Sequence, residues 1–153
     1  MKIQKIYIDT SVIGGCYDKE FSKWSNILVN NIKEGKFIPV LSEVTQSEIE
    51  YAPESVKQKY LEILNYNAIV LNITDEVIEL AKLYQKRKIL TEKYFDDGLH
   101  IALATINQID LLVSWNFKHI VHYDKIRQFN AINLEIGYKT IEIYSPMEVA
   151  EDD

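Results

Sequence analysis

The feature that most constrains the fold of this chain is the alternation of short apolar segments with longer helical patterns. Short apolar runs predict buried strands, whereas apolar residues spaced three and four positions apart predict helices that cover those strands. This alternation is typical of an α/β fold whose parallel sheet is covered on both faces. The predicted strands comprise residues 5–9, 37–41, 68–71, 110–114 and 140–144.

Capping residues and chain breakers place the helices between these strands. Ser42 and Thr74 are suited to be N-caps, while Gly35 and Pro53 mark helix ends. Pro39, inside the second strand, indicates an edge strand or a strand start, because proline cannot donate a ladder hydrogen bond. The predicted helices comprise residues 24–35, 42–52, 54–65, 74–88 and 96–107.

The length and charge of the chain limit its domain count and its mode of binding. A chain of 153 residues fits one domain of ordinary size, so residues 1–153 are expected to form a single domain. The net charge of −6 argues against a protein that binds nucleic acid by charge alone. It does not exclude a nuclease, because bound cations offset part of an acidic excess.

Cysteine content and the N-terminal segment bear on the cellular compartment. Cys16 is the single cysteine of the sequence, so an intrachain disulfide and a thiolate zinc site are excluded. This favours a reducing cytoplasm, and a catalytic thiol at Cys16 is the less favoured alternative. The apolar run that follows Lys5 is too short for a signal peptide or a membrane span, so no membrane partner is expected.

Two polar residues fall at strand ends, where open parallel sheets place their sites. Asp9 ends the first predicted strand, and Asn116 comes just after the strand at residues 110–114. Asp9 is interpreted as a site residue, with a helix N-cap as the alternative. For Asn116 the alternative is a turn residue, a position that asparagine favours.

Glu48 is predicted to point inward from the helix at residues 42–52. On a helical wheel, Val44, Tyr51 and Ala52 form an apolar face with Ile49 at its margin, and Glu48 falls inside that face. A carboxylate directed inward needs a metal, a hydrogen-bond network or a basic partner. No basic residue of the same helix serves, so a metal, a distant basic partner and a position on a cleft rim remain open.

The apolar helix at residues 96–107 begins with two more acids. Asp96 and Asp97 favour the helix dipole whatever their function, and a helical wheel does not choose between them. His100 is interpreted as a packed, hydrogen-bonded histidine rather than as a ligand. Lys118 and His119, which follow Asn116, offer contacts to a phosphate as a minor hypothesis.

Four segments of the sequence together resemble the PIN-domain family, in particular the ribonuclease toxins of bacterial and archaeal toxin–antitoxin pairs of the VapC type. Their order and spacing span nearly the whole chain. They are YIDTS at residues 7–11, LSEVTQSE at 41–48, DGLHIALA at 97–104 and LVSWNFKH at 112–119.

The resemblance implies a PIN-like three-layer sandwich, with a short, mainly parallel sheet flanked by helices. It implies an endoribonuclease that hydrolyses RNA with Mg²⁺ or Mn²⁺, and the metal ligands it implies are Asp9, Glu48 and Asp97. Glu48 would also orient or deprotonate the attacking water, and Ser11 would support the site. Carboxylates suit these hard cations, which keep several waters and take oxygen ligands.

The resemblance has one departure and also implies partners. Asn116 stands where many family members carry a fourth acid, so one negative charge is missing and the case for a tightly held second metal is weaker. An asparagine oxygen still offers a ligand. The partners implied are an RNA substrate, an antitoxin protein that covers the site, and a second copy of the chain in a homodimer.

Two alternatives compete with the nuclease hypothesis. A phosphatase of the HAD type also places an Asp after its first strand, but it needs a second Asp two positions later, where this chain has Ser11. A catalytically inactive PIN-like module that serves as a binding scaffold is suggested by Asn116 and by the acidic net charge. The presence of Asp9, Glu48 and Asp97 argues against that module.

Overall fold

The computed structural model describes residues 2–152, and its centre is a five-stranded sheet. All neighbouring strands pair in parallel, which confirms the parallel α/β sheet predicted from the alternation of segments. The strand order is β3-β2-β1-β4-β5, so β1 is central. The strands are β1 (Gln4–Ile8), β2 (Phe37–Ser42), β3 (Ile69–Leu71), β4 (Leu111–Val113) and β5 (Ile143–Tyr144).

Helices connect the strands and cover the sheet. Ser42 and Thr74 both cap helices through their side chains, as predicted, and Gly35 adopts a φ of +82° just after the end of a helix. The helices are α1 (Thr10–Gly15), α2 (Ser22–Lys33), α3 (Glu43–Ile49), α4 (Glu54–Leu64), α5 (Asp75–Lys86), α6 (Phe95–Ile106), α7 (Tyr123–Glu135) and α8 (Pro146–Val149), with a 3-10 turn at Glu92–Tyr94. None of the helices within residues 2–152 is long and apolar enough to cross a bilayer.

Two apolar cores lie on opposite faces of the sheet, because successive strand side chains point to opposite sides. In β1, Tyr7 belongs to one core, whereas Ile6 and Ile8 belong to the other. The first core packs against α5, α6 and α7, and the second against α1, α2 and α4. Representative helix residues are Leu80, Leu103 and Phe129 in the first core, and Val12, Leu28 and Tyr60 in the second.

The position predicted for Pro39 is wrong. Pro39 lies within β2, which has β1 on one side and β3 on the other, so it is neither on an edge strand nor at the strand start. The register explains why a proline is accommodated there. Pairing with β3 begins only at Val40, one residue later, so at Pro39 the strand has a single neighbour, with Ile6 opposite.

The apolar face predicted for the helix at residues 42–52 is also partly wrong. Helix α3 ends at Ile49, and Tyr51 lies beyond it with 88 % of its surface exposed. The buried side chains of α3 are Val44, Thr45 and Ile49. Glu48 therefore lies at the margin of the buried face, directed toward the carboxyl ends of the strands.

Helix α7 was not predicted from the sequence. Its buried side chains are Phe129, Ile132 and Asn133, and most other positions are exposed or half-buried. One of these three is polar, so the apolar stripe is too narrow for a clear helical period. Helices α1 and α8 were missed because six and four residues are too few to establish a period.

Candidate active site

Asp9 occupies the first position beyond β1, where its side chain is held by neighbouring donors. Ser11 Oγ donates to Asp9 Oδ1 over 2.6 Å, and Ser114 Oγ donates to Oδ2 over 2.5 Å. The amide of Val12 also donates to Oδ1, so Asp9 is the N-cap of α1 as the alternative interpretation held. Burial raises the pKa of Asp9, although the charge of His100 and these hydrogen bonds oppose that effect.

Glu48 reaches the same end of the sheet from α3. Its Oε1 accepts hydrogen bonds from Thr10 Oγ1 at 2.8 Å and from His100 Nε2 at 2.9 Å. Burial tends to raise the pKa of Glu48, but the hydrogen bond and charge of His100, together with Thr10, outweigh it and lower the pKa below its usual value. No hydrogen bond to the second oxygen, Oε2, is formed by a residue in the described part of the chain.

His100 is the buried counter-charge of this site. Its Nδ1 lies 2.6 Å from Tyr7 Oη, which in turn lies 2.7 Å from Ser42 Oγ. Burial opposes an imidazolium, but Tyr7, the hydrogen bond to Glu48 and the nearby carboxylates raise the pKa of His100 well above its usual value. When protonated, as the raised pKa favours, the ring donates through both nitrogens, toward Glu48 and toward Tyr7. Glu48 thus has the distant basic partner that the sequence left open, and His100 is hydrogen-bonded as predicted.

Asp97 is the acid of α6 that faces the other two carboxylates. Asp96 is exposed, whereas Asp97 is half-buried, which resolves the choice that the helical wheel left open. Burial raises the pKa of Asp97 to about 6, and the charges of Asp9 and Glu48 add to this effect, while His100 opposes it. The three acids, which lie far apart in the sequence, therefore share one electrostatic environment.

Asn116 joins the carboxylates to the loop after β4. Its side-chain oxygen accepts the backbone N–H of His119 at 2.9 Å and that of Lys118 at 3.2 Å, which forms the turn of the alternative interpretation. The side chain of Asn116 also lies close enough to Asp97 to lower the pKa of that acid. The Asn116 oxygen is therefore already bonded.

The donor set can be tested against the hard cation that the sequence implies. No three His, Cys, Asp or Glu side chains within residues 2–152 are arranged so that together they could hold a metal ion. A closed protein cage is therefore not preformed. Mg²⁺, however, usually keeps several waters and takes only one or two protein carboxylates. Burial is the main cause of the raised pKa of Asp97, with the charges of Asp9 and Glu48 adding to it, and the oxygen donors fit a hydrated cation of this type.

A groove of about 650 Å³ lies beside the carboxylates, between α1, the start of α4 and the loop after β4. Ser11 and Asn116 form its border with the site. Aromatic rings form part of its wall, because Phe21 stacks on Trp115 with ring centroids 4.3 Å apart. Unpaired bases stack on such surfaces.

Several residues at the site were not predicted to serve it. Thr10 and Ser114 bond directly to the acids, and Tyr7 fixes His100. The strand register is a signal for Ser114. Ile8 pairs with Val113, so the residues that follow them, Asp9 and Ser114, lie side by side. Tyr7 has no such signal, since an aromatic residue in a buried strand is usually core.

Cys16 directly follows α1 and is buried in the core that packs against α1, α2 and α4. Burial raises the pKa of its thiol to about 11, which leaves the unreactive protonated form at neutral pH.

Solved structures with a similar fold belong to toxin–antitoxin complexes. A chain of a toxin–antitoxin complex from Klebsiella pneumoniae matches at a TM-score of 0.55 and 14 % identity, over 75 % of this chain and 89 % of that one. A chain of VapBC2 from Rickettsia felis, bound to a DNA fragment from its promoter, matches at a TM-score of 0.56 and 13 % identity, over 93 % and 98 %. No protein-family model matches, and no curated protein sequence is significantly similar. The likenesses confirm the PIN-like α/β sandwich that the sequence predicted, and at this identity they show the fold alone.

Proposed function

We propose that this chain is an endoribonuclease that hydrolyses phosphodiester bonds in RNA with the help of Mg²⁺ or Mn²⁺. The observation that carries the proposal is the grouping of Asp9, Glu48 and Asp97 at the carboxyl edge of the sheet with one buried cation, His100, among them. Three acids with one counter-charge leave a negative excess that a divalent cation would offset. Carboxylates used only for structure are usually paired one to one.

Each residue has a separate role in this proposal. Asp9 and Asp97 would hold the cation, which when bound stabilises negative charge on the phosphate. Ser11 and Ser114 fix the orientation of Asp9 through their hydrogen bonds. Glu48 stays ionised because its pKa is lowered. It is therefore better suited to orient the attacking water through Oε2 than to accept a proton from that water. Asn116 lowers the pKa of Asp97 and so favours its ionised form.

The cellular role is a finer proposal, which the solved structures of similar fold support. Chains of the same fold occur in toxin–antitoxin complexes, which supports a role for this chain as the toxin of a type II pair in the cytoplasm. Its partners would be an antitoxin protein that covers the carboxylates and a second copy of the chain. Mixing purified toxin and antitoxin and measuring the mass of the complex tests both contacts.

An RNA-cleavage assay tests the enzymatic proposal. The purified chain is incubated with a pool of single-stranded RNAs in EDTA, Mg²⁺ or Mn²⁺. We expect cleavage with either metal and none in EDTA. The control is the same preparation carrying Asp9→Asn, which separates cleavage by this site from a contaminating nuclease. Equal cleavage by both preparations would refute the assignment.

A catalytically inactive PIN-like module remains the second candidate, and Asn116 favours it. Its amide replaces a carboxylate that many family members carry, and its oxygen already accepts two backbone hydrogen bonds. This module would bind RNA or a protein partner without cleaving in any metal. The assay above separates the two candidates directly.

A further inference from the structure

A basic and aromatic patch lies next to the candidate active site. The Tyr94 ring, between the 3-10 turn and α6, packs against the His119 ring with centroids 3.8 Å apart. The ammonium groups of Lys93 and Lys118 lie 5.6 and 6.0 Å from the centre of the Tyr94 ring. Both lysines are exposed and Tyr94 is half-buried. These four residues, Lys93, Tyr94, Lys118 and His119, are termed the Tyr94 patch.

Asn116 and the start of α6 both place the Tyr94 patch beside the carboxylates. Asn116 accepts the backbone N–H groups of Lys118 and His119 with its oxygen, and its side chain lies close enough to Asp97 to lower the pKa of that acid. From the other side, Tyr94 precedes Asp97 by three residues at the start of α6. The patch and the acids are thus held together through two routes, so a ligand at the acids would also meet the patch.

Charged side chains of opposite sign lie on the two sides of Asn116, with the carboxylates on one side and the exposed Lys93 and Lys118 on the other. The pKa of His119 is lowered by burial and by the positive charges of Lys118 and Lys125. A polyanion that brings one phosphate to a cation at the acids would find positive charge for a neighbouring phosphate at the lysines.

The His119 ring has unused hydrogen-bonding capacity. Neither ring nitrogen has a hydrogen-bond partner among residues 2–152, and both are shielded from solvent. Shielded polar atoms without a partner are uncommon in folded proteins and call for a ligand or a bound water. A neutral imidazole offers one donor and one acceptor to a water or ligand group that reaches these nitrogens.

We propose that the Tyr94 patch binds one nucleotide of a single-stranded RNA next to the phosphodiester bond at the carboxylates. Lys93 and Lys118 neutralise its phosphate, and the paired rings of Tyr94 and His119 contact its base. The strand must be single because a base within a duplex cannot reach an aromatic ring. The inference rests on the proposed nuclease function, since it names where that substrate binds.

Binding of a labelled RNA to protein that cannot cleave it tests the patch. The probe is a pool of fluorescein-labelled 12-nucleotide RNAs of random sequence, and the protein carries Asp9→Asn. Adding Lys93→Gln and Lys118→Gln should weaken binding and reduce the slope of log Kd against log salt by about 0.7 for each phosphate that is no longer neutralised. Adding Tyr94→Ala should weaken binding by about 5- to 100-fold with the slope unchanged, because stacking is not an ionic interaction.

The matched control removes two lysines from the opposite edge of the sheet. Lys33 and Lys139 are exposed and precede β2 and β5, so they lie near the amino ends of the strands. Lys33→Gln with Lys139→Gln changes the net charge equally and should leave the Kd and the slope close to those of the parent. An equal loss of RNA affinity in the two double-lysine variants would overturn the patch, because binding would then depend on the net charge alone.

The patch and the nuclease proposal fail in different ways. Cleavage by the wild-type chain, with RNA binding unaffected by all the patch variants, overturns the patch and leaves the nuclease. Binding that weakens as expected in a chain that never cleaves supports the patch and overturns the nuclease. Tighter binding to a duplex DNA of equal length, with the lysine effect confined to that duplex, overturns the single-stranded assignment. Tyr94→Ala is interpreted only if its melting temperature stays near that of the parent, and the exposed lysine pair remains decisive otherwise.

Discussion

Helix α6 takes part in two buried polar networks that differ in charge and in completeness. Near its C-terminus, Thr105 accepts a hydrogen bond from the Asn133 amide at 3.2 Å, and Tyr84 Oη donates to the Asn133 oxygen at 2.5 Å. All three side chains are neutral and buried. Near its N-terminus, His100 and Asp97 belong to a network of charged groups in which acids outnumber the cation.

The comparison shows two roles for buried polar groups. One network stabilises the fold, whereas the other is available to a ligand. The network of Asn133 is satisfied by its own members, so it fixes the packing of α5, α6 and α7 without a net charge. The acidic network has more acids than bases, which is expected to destabilise the protein and which a bound cation would offset. Functional sites commonly carry such a local cost, which the rest of the fold offsets. The two networks should therefore respond in opposite ways to the loss of a polar group.

The largest expected effect is the loss of cleavage when one acid is neutralised. Asp9→Asn or Asp97→Asn should reduce RNA cleavage by about 100-fold or more, because a metal ligand worth several kcal/mol is lost and each 1.36 kcal/mol is tenfold in rate. The fold should be intact, since an amide has nearly the same shape as the carboxyl group. Initial cleavage rates in Mn²⁺, with circular dichroism of each variant, measure both expectations.

Asp96→Asn is the matched control for this comparison. Asp96 is adjacent to Asp97 but exposed, so its neutralisation should leave the cleavage rate within about twofold. A folded Asp97 variant that cleaves at the wild-type rate would remove Asp97 from the site. A rate equally reduced by Asp96→Asn would show that the overall charge of this helix end matters, rather than one side chain.

The fold was largely predictable because its signals are local. Strands β1 and β2 are runs of apolar residues, and the caps at Ser42 and Thr74 act on amides within three residues. The failures have non-local causes. Pro39 is tolerated because β3 begins one residue later in the register, which the sequence of β2 does not encode. Helix α7 was not predicted because one of its few buried positions is Asn133, whose hydrogen-bond partner Tyr84 is 49 residues away.

The residues named for the site from the sequence lie close together in the structure. Asp9 and Asp97 were placed by the strand end and by the family resemblance, and they lie near Glu48, Ser11 and Asn116. Other partners of these acids could not be predicted, because hydrogen bonds such as Thr10 to Glu48 and Ser114 to Asp9 join segments 38 and 105 residues apart. The role of His100 as the counter-charge of Glu48 likewise depends on the meeting of α3 and α6.

The second expected effect is a loss of stability when the neutral network is broken. Asn133→Ala should lower the free energy of unfolding by about 2–4 kcal/mol, because it leaves the buried Tyr84 hydroxyl without its acceptor and opens a small cavity. Urea denaturation measures this change. Adding Tyr84→Phe should recover part of the loss, because the unpaired hydroxyl is then removed as well.

Asn72→Ala is the control for this loss, since Asn72 is exposed and should change the stability by less than about 0.5 kcal/mol. The cleavage rate of the folded Asn133 variant should stay close to that of the wild type. A stability equal to that of the wild type would contradict the structural role of this network. A loss of cleavage without a loss of stability would join Asn133 to the functional site.

The smallest expected effect has the opposite sign, since neutralising Asp97 should stabilise the metal-free protein. Its pKa is raised from 3.8 to about 6 in the folded state, so folding favours the protonated form. Above pH 6 the folded protein must hold an unfavourable charge that the unfolded chain holds without cost, whereas below pH 3.8 both states are protonated. Asp97→Asn should therefore gain about 1–3 kcal/mol in EDTA at pH 8, and this gain should shrink as the pH falls below 6.

The same substitution should abolish stabilisation by the cation, which ties the stability cost to the function. Millimolar Mn²⁺ should raise the melting temperature of the wild type and should raise that of the Asp97→Asn variant less. Asp96→Asn should be slightly destabilising instead, by about 0.3–1 kcal/mol, because it removes a charge that favours the N-terminus of α6. If Asp97→Asn were neutral or destabilising in EDTA at pH 8, the charge of Asp97 would carry no stability cost, and this difference between the two networks of α6 would be refuted. If both melting temperatures were unchanged between EDTA and Mn²⁺, the acids would not hold a cation under those conditions.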